Sequence, residues 1–202
     1  MIAPLIGLRI LPLAALPADF TDLVFTSETA AAVAAGLKVP KLPAWCVGQR
    51  TAAAARSAGY PAETGPGDAA TLVETIAARR PEGRFLHLRG RETAVDVAAA
   101  LNARGIKCDS AVIYEQVPLA PDGALLGLLA AADPVLAPVF SPNSARALAA
   151  VPGQAPLLVA AMSPAVAAVP LPRTTRLEIA ARPDAGAMLE ALGRLIASVE
   201  ET

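Results

Sequence analysis

Two short stretches carry the side chains best placed for chemistry. VFTSETAAAVAAG (24–36) runs an apolar strand tip into Thr26 and Ser27 and then into an alanine-rich helix. VFSPNSARALAA (139–150) repeats the arrangement around Ser141 and Asn143. In a chain of alternating strands and helices, such residues fall at the carboxyl ends of strands, beside helix N-termini, where parallel α/β sheets bind their ligands. Gly48, Gln49 and Thr51 in VGQRTA, Arg89, Gly90 and Arg91 in LRGRE, and Ser163 in MSPAVAAV occupy equivalent places. A helix N-terminus offers unpaired N–H groups and a partial positive charge. Hydroxyl and amide side chains add neutral hydrogen bonds there, and arginine adds charge. Such a rim suits a ligand with several carboxylates or phosphates. Ser27, Thr51 and Ser141 would serve equally as plain helix caps. Their recurrence at corresponding strand tips in both halves is what favours a ligand.

Tyr114 lies near the end of the strand pattern CDSAVIYEQV (108–117). It reads either as a core aromatic with its hydroxyl paired at the edge or as a phenol aimed into a cleft as a donor. Tyr60, after Gly59, reads as a surface turn residue. Stronger motifs are missing: there is no GxGxxG after a strand, no GxxxxGK[ST], no GxSxG and no HExxH. The single histidine, His87 in FLHLRG, reads as a packed or half-exposed strand residue, and no Ser-His-Asp set can be built around it. Cys46 and Cys108 lack CxxC spacing and a nearby histidine, and read as buried reduced thiols.

The bulk properties bound the answer. The chain has 202 residues, 54% hydrophobic and 17% charged, enough for a sizeable core in one domain or two small ones. A formal net charge of −1 gives no basic field for nucleic acid or an anionic membrane, and 3% aromatics leave little for base stacking. The long uncharged run between Arg146 and Arg173 is cut by Pro152, Pro156, Pro164, Pro170 and Pro172 into pieces too short to cross a membrane. The N-terminus has no basic start and resembles no targeting segment. A cytoplasmic protein is expected.

The elements that must position these residues alternate. Strands are expected at 4–11, 22–27, 44–48, 84–90, 108–117, 135–140, 156–161 and 175–181, with a short extended piece at Glu63–Thr64. Helices are expected after Ser27 to Gly36, at 49–58, from Asp68 to Arg80, at 92–104, 122–132, 143–150, 164–169 and 184–200. Gly105 stands where helix 92–104 needs a left-handed residue. The alternation predicts parallel sheets covered by helices on both faces.

The chain also repeats itself. Residues 24–36 align with 139–150 at an offset of 115, and VGQRTAAAARSAG (47–59) with AAMSPAVAAV (160–169) at nearly the same offset. The helix from Asp68 matches the helix from Asp184. The chain is therefore a duplication of one α/β unit, and two similar sheets are expected. Strand 84–90 and helix 92–104, which precede the second copy's tip, have no counterpart before IAPLIGLRI. The internal comparison thus leads us to expect a shortened N-terminus.

Taken in order, FTS with its short helix, VGQRTA, LRGRE with GIKCDSAVIYE, FSPNSA and MSPAVAAV with ARPDAGAMLEAL resemble the uroporphyrinogen-III synthase family. The resemblance covers nearly the whole chain. It implies two flavodoxin-like parallel-sheet domains joined by extended linkers at 8–13 and 115–120. One domain is discontinuous (1–9 plus 117–202) and the other spans 12–114. Family sequences open with a further strand and helix, so the discontinuous domain is expected to be incomplete. The family is a lyase of the hydro-lyase class, working between its two domains. It removes water from hydroxymethylbilane, a flexible linear tetrapyrrole with eight carboxylates, inverts ring D and closes uroporphyrinogen III, in haem biosynthesis. The resemblance implies no cofactor and no metal, and a monomer is expected. Tyr114 matches the family's tyrosine and would act as the donor. Ser27, Gly48, Gln49, Thr51, Arg89, Gly90, Ser141, Asn143 and Ser163 would grip carboxylates. Ala165 and Val166 replace a hydroxyl common in relatives, which weakens the contact at Ser163. Two alternatives stand beside the enzyme: a non-catalytic two-lobed binding protein for a small polyanion, and an inactive shortened family member.

Overall fold

The structure is a computed structural model that describes residues 3–13, 16, 19–79 and 82–200. It divides into two units, Leu8–Gln116 and Met1–Gly7 with Val117–Thr202.

The chain opens with β1 (Ile6–Ile10). The elements of the first unit then follow: β2 (Asp22–Phe25), α1 (Glu28–Gly36), β3 (Ala44–Cys46), α2 (Gln49–Ser57), β4 (Ala62–Thr64), α3 (Ala69–Arg79), β5 (Phe85–Gly90), α4 (Val97–Asn102) and β6 (Cys108–Pro118). The sheet order is β1-β6-β5-β2-β3-β4. From β6 to β4 every pairing is parallel. This is the flavodoxin-like order 2-1-3-4-5, entered by the chain at its third strand. β1 differs. Leu11 N–H bonds the Ile113 carbonyl and Leu119 N–H bonds the Leu5 carbonyl, so β1 runs antiparallel to β6.

Both faces of the central strands β2, β3 and β5 are buried, which is why these read as nearly continuous apolar runs. Leu23, Phe25, Leu86 and Leu88 pack under α1 and α2. Val24, Trp45 and Phe85 pack against Leu72, Ile76 and Leu101 on the other face. Phe25 and Phe85 have no solvent exposure, and truncating either to alanine would cost about 3–5 kcal/mol. Alanine supplies helix propensity in α1, and the helix stops in a Schellman turn. Lys38 takes the left-handed position (φ 57), with Lys38 N–H on the Ala35 carbonyl and Val39 N–H on the Ala34 carbonyl. Gly105 has φ 80 just past α4, as the sequence predicts.

Two local expectations are corrected. The helix expected at 92–104 begins only at Val97, because the Asp96 side chain caps it by accepting from Ala99 N–H at 3.0 Å. Tyr60 is not a surface residue. It is 2% exposed, lies edge-on to Phe25, and carries the Lys41 ammonium 3.8 Å above its ring. Gly59 (φ 87) turns the chain inward there.

The second unit carries α5 (Gly123–Ala130), β7 (Val135–Val139), α6 (Pro142–Ala149), β8 (Leu157–Ala161), α7 (Pro164–Ala167), β9 (Thr174–Ile179) and α8 (Ala185–Glu200). Its sheet is parallel, in the order β7-β8-β9. Leu157, Val159 and Ala161 bury one face, against which Leu5 packs. Leu158 and Ala160 meet Met188, Ala191 and Leu195 of α8 on the other. Among the described residues this sheet has three strands, and no helix is long and apolar enough to cross a membrane.

The duplication is visible in the backbone. Ser27 and Ser141 cap α1 and α6 at φ −150 in both, with ψ 151 and 157. Gly48 and Ser163 begin α2 and α7 in extended conformation, and neither makes a side-chain cap bond.

Candidate functional site

The strand ends of the first unit bring three parts of the sequence together. β2 ends at Phe25, which delivers Ser27 to the start of α1. There the Ser27 Oγ accepts from Ala30 N–H at 3.0 Å. The same oxygen lies 3.0 Å from the Tyr114 hydroxyl, 87 residues away in sequence. Tyr114 reaches it because the β5–β6 register slips between Arg89 and Gly90, which brings Gly90 opposite Tyr114. A bulge of this kind re-aims a side chain at the rim of a sheet. The phenol then lies flat against the Gly90 backbone. A Cβ on Gly90 would stand 2.8 Å from Cε2 and Cζ and 3.0 Å from the hydroxyl oxygen. Glycine is required there by that close approach.

Beneath the rim, Thr26 Oγ1 is 3.2 Å from His87 Nε2, and His87 Nδ1 is buried without a partner. His87 is fully buried. Burial, and secondarily the positive charge of Arg89, push its pKa down to about 4. The imidazole is therefore neutral at pH 7 and packs the base of the site.

Gly48 begins α2 without a side-chain cap, so that helix presents its first N–H groups uncovered. The loop after β4 supports it. Gly67 N–H bonds the Val47 carbonyl, and a Cβ on Gly65 would stand 2.2 Å from the Cys46 carbonyl oxygen. Gln49 is exposed at the first position of α2, while Thr51 is only 5% exposed and offers little surface to a ligand. Arg89 turns back on its own strand end, with Nε on Ser110 Oγ at 2.7 Å and Nη1 on the carbonyls of Gly90 and Arg91.

In the second unit, Ser141 closes a capping box. Its hydroxyl accepts from Ser144 N–H, and Ser144 Oγ accepts from Ser141 N–H. Asn143 Oδ1 accepts from Arg146 Nη1 at 2.6 Å. Ser163 leaves its hydroxyl out of the cap. The expected residues thus divide by unit. Ser27, Gly48, Gln49, Thr51, Arg89, Gly90 and Tyr114 belong to the first, and Ser141, Asn143 and Ser163 to the second.

Glu115 is the residue that sequence reasoning missed. It is 8% exposed and binds both Arg9 and Arg91. Arg91 foremost, then Arg9, holds its carboxyl below the ordinary glutamate range. The signal was a carboxylate directly after the tyrosine, in a strand otherwise free of buried charge.

A family model described as Uroporphyrinogen-III synthase HemD matches residues 2–190. No curated protein is matched by sequence alone. Among solved structures the chain is similar to uroporphyrinogen-III synthetase from Helicobacter pylori, with a TM-score of 0.75, 20% identity and coverage of 96% of this chain and 91% of that one. It is also similar to a mutant uroporphyrinogen III synthase from the extremely thermophilic bacterium Thermus thermophilus, with a TM-score of 0.51, 14% identity and coverage of 96% and 88%. These likenesses establish the fold: parallel α/β sheets in two domains.

Proposed function

The chain belongs to the uroporphyrinogen-III synthase HemD family, and from that premise we propose that it cyclises hydroxymethylbilane to uroporphyrinogen III with loss of water. The observation that supports this most directly is the Tyr114 hydroxyl, held at the strand-end rim 3.0 Å from Ser27 Oγ. In this reading Ser27 Oγ accepts from Ala30 N–H and gives its own proton to the phenol oxygen. The phenol proton is then directed outward, toward a leaving group.

In this reading Tyr114 donates that proton to the terminal hydroxyl of the substrate as the carbon–oxygen bond breaks. Water leaves, and positive charge develops on the terminal pyrrole. The substituted carbon of ring D attacks to form a spiro intermediate, which reopens and closes with the ring inverted. The carbon that closes the macrocycle loses a proton, which balances the one taken from the phenol. The substrate also cyclises unaided, to the isomer without inversion. Orientation is therefore most of what the protein must supply. The uncapped start of α2 at Gly48, the Gln49 side chain, Arg89 and the Gly90 backbone are proposed to hold carboxylates, with the nearly buried Thr51 packed behind them. Ser141, Asn143 and Ser163 are proposed to do so in the second unit.

The test is to supply freshly generated hydroxymethylbilane and separate the isomers of the product. The proposal expects isomer III in excess at a rate proportional to protein concentration. Isomer I alone, formed at the unaided rate, would overturn it. Tight binding of the substrate without isomer III would identify the polyanion-binding protein instead.

A further inference from the structure

A pocket of about 170 Å³ is lined by Gly90, Arg91, Glu92, Tyr114, Glu115 and Gln116. Sites that enclose a whole small ligand hold roughly 300–1,000 Å³, so this one has room for a single substituent. The Glu115 side chain is 11% exposed, whereas those of Arg9 and Arg91 are 64% and 60% exposed. One oxygen of Glu115 accepts from Arg9 Nε at 2.5 Å and pairs with Arg9 Nη2. The other accepts from Arg91 Nε. A buried carboxylate thus holds two guanidiniums as neighbours at the surface.

Strand pairing brings both to it: the Gly90–Tyr114 register, continued by Arg91 N–H on the Tyr114 carbonyl, sets Arg91 beside Glu115. The antiparallel register set by Leu11–Ile113 and Leu5–Leu119 places Arg9 opposite Glu115, an ordinary cross-strand ion pair. Arg91 is a second cation on an acid already neutralised. Arg89 lies close to it in sequence, its Nε on Ser110 Oγ and its Nη1 on the carbonyls of Gly90 and Arg91. Glu92 lines the same pocket. Three guanidiniums against two carboxylates leave surplus positive charge beside the phenol. Each guanidinium has five N–H donors. The contacts with Glu115 use Nε and Nη2 of Arg9 and Nε of Arg91, and both side chains are more than half exposed.

We propose that Arg9 and Arg91, splayed on Glu115, form a subsite for one carboxylate of the ligand that Tyr114 acts on. Glu115 is the positioning residue. This rests on reading the substrate as a polycarboxylate, and it assigns one anchor point next to the reacting end.

The experiment is steady-state kinetics with hydroxymethylbilane on the full chain at several salt concentrations. It compares wild type with Arg9→Gln, Arg91→Gln, the double variant and the two lysine variants, each checked by thermal melting. Losing one charge-assisted hydrogen bond is expected to raise KM roughly tenfold with kcat within about twofold. The double variant should show a flatter rise of KM with salt than wild type, since screening then has less charge to act on. Each lysine variant should have a lower KM than the matching glutamine variant. An unchanged KM in the double variant, a fall in kcat at constant KM, or lysine and glutamine variants that behave alike would overturn the subsite. If the wild type forms no isomer III, the reaction reading fails separately. Calorimetric titration of uroporphyrin III, an octacarboxylate, into the same variants then decides the subsite by itself. Weaker binding in the double variant supports it, and equal binding overturns it.

Discussion

The Tyr114 hydroxyl is placed by two contacts that can be altered one at a time: the Ser27 oxygen and the bare backbone of Gly90. Tyr114→Phe removes one oxygen and no packing. It is expected to lower kcat about 100-fold, the low end for a lost proton donor, with an unchanged melting temperature. Unaltered isomer III production would make the tyrosine a packing residue. Gly90→Ala places a methyl group 2.8 Å from the ring, so the ring must shift away from Ser27. The expected result is a similar loss of kcat with a stability cost of about 1–3 kcal/mol, and activity at wild-type level would refute the close approach. His87 gives a prediction in pH. Its pKa is depressed from 6.5 to about 4 in the folded chain. Between those values the unfolded chain binds a proton that the folded chain does not. Stability is therefore complete above pH 6.5, falls as pH drops toward 4, and loses about 3 kcal/mol in all. Unfolding free energies at pH 7 and pH 4 should differ less in His87→Gln than in wild type, and equal losses would deny the linkage.

At the level of elements, the caps are readable because they are local. Asp68 and Asp184 stand at the same place in the two copies, and each accepts an N–H three residues on, from Thr71 at 2.8 Å and Ala187 at 2.9 Å. A hydroxyl before an alanine run predicts a helix start whatever lies around it. The start of α4 falls five residues later than the sequence pattern suggests, because Asp96 caps the helix within the stretch that reads as its first turn. The two serine caps also allow a controlled comparison. Ser141→Ala opens the capping box and should cost about 1 kcal/mol in urea unfolding, with little change in the chemical step. Ser27→Ala removes the same kind of cap and, in addition, the partner of Tyr114. It should cost a similar stability and lower kcat more than Ser141→Ala does. Equal effects on kcat would mean that Ser27 is a cap and nothing else.

For the molecule as a whole, the two cysteines report on folding. Both are buried, and burial raises their pKa to about 11 for Cys46 and about 12 for Cys108. A thiol reagent at pH 8 should leave both unmodified until denaturant opens the unit that holds them, since only the thiolate reacts. Rapid modification of the native chain would contradict that packing. The amino-acid sequence alone determined the order of elements, the parallel sense of every strand but β1, the duplication and the residues at strand tips. Each of these follows from short-range rules: periodicity, caps, turn residues and the need to bury both sheet faces. It could not reveal which side chains meet. The pairing of Ser27 with Tyr114, the slip that brings Gly90 under the phenol, and the meeting of Arg9 with Glu115 across 106 residues depend on register between distant strands. A pattern of period two shows which face of a strand is buried and not which neighbour it has. Tertiary pairing decided that, and with it the difference between a row of helix caps and a site.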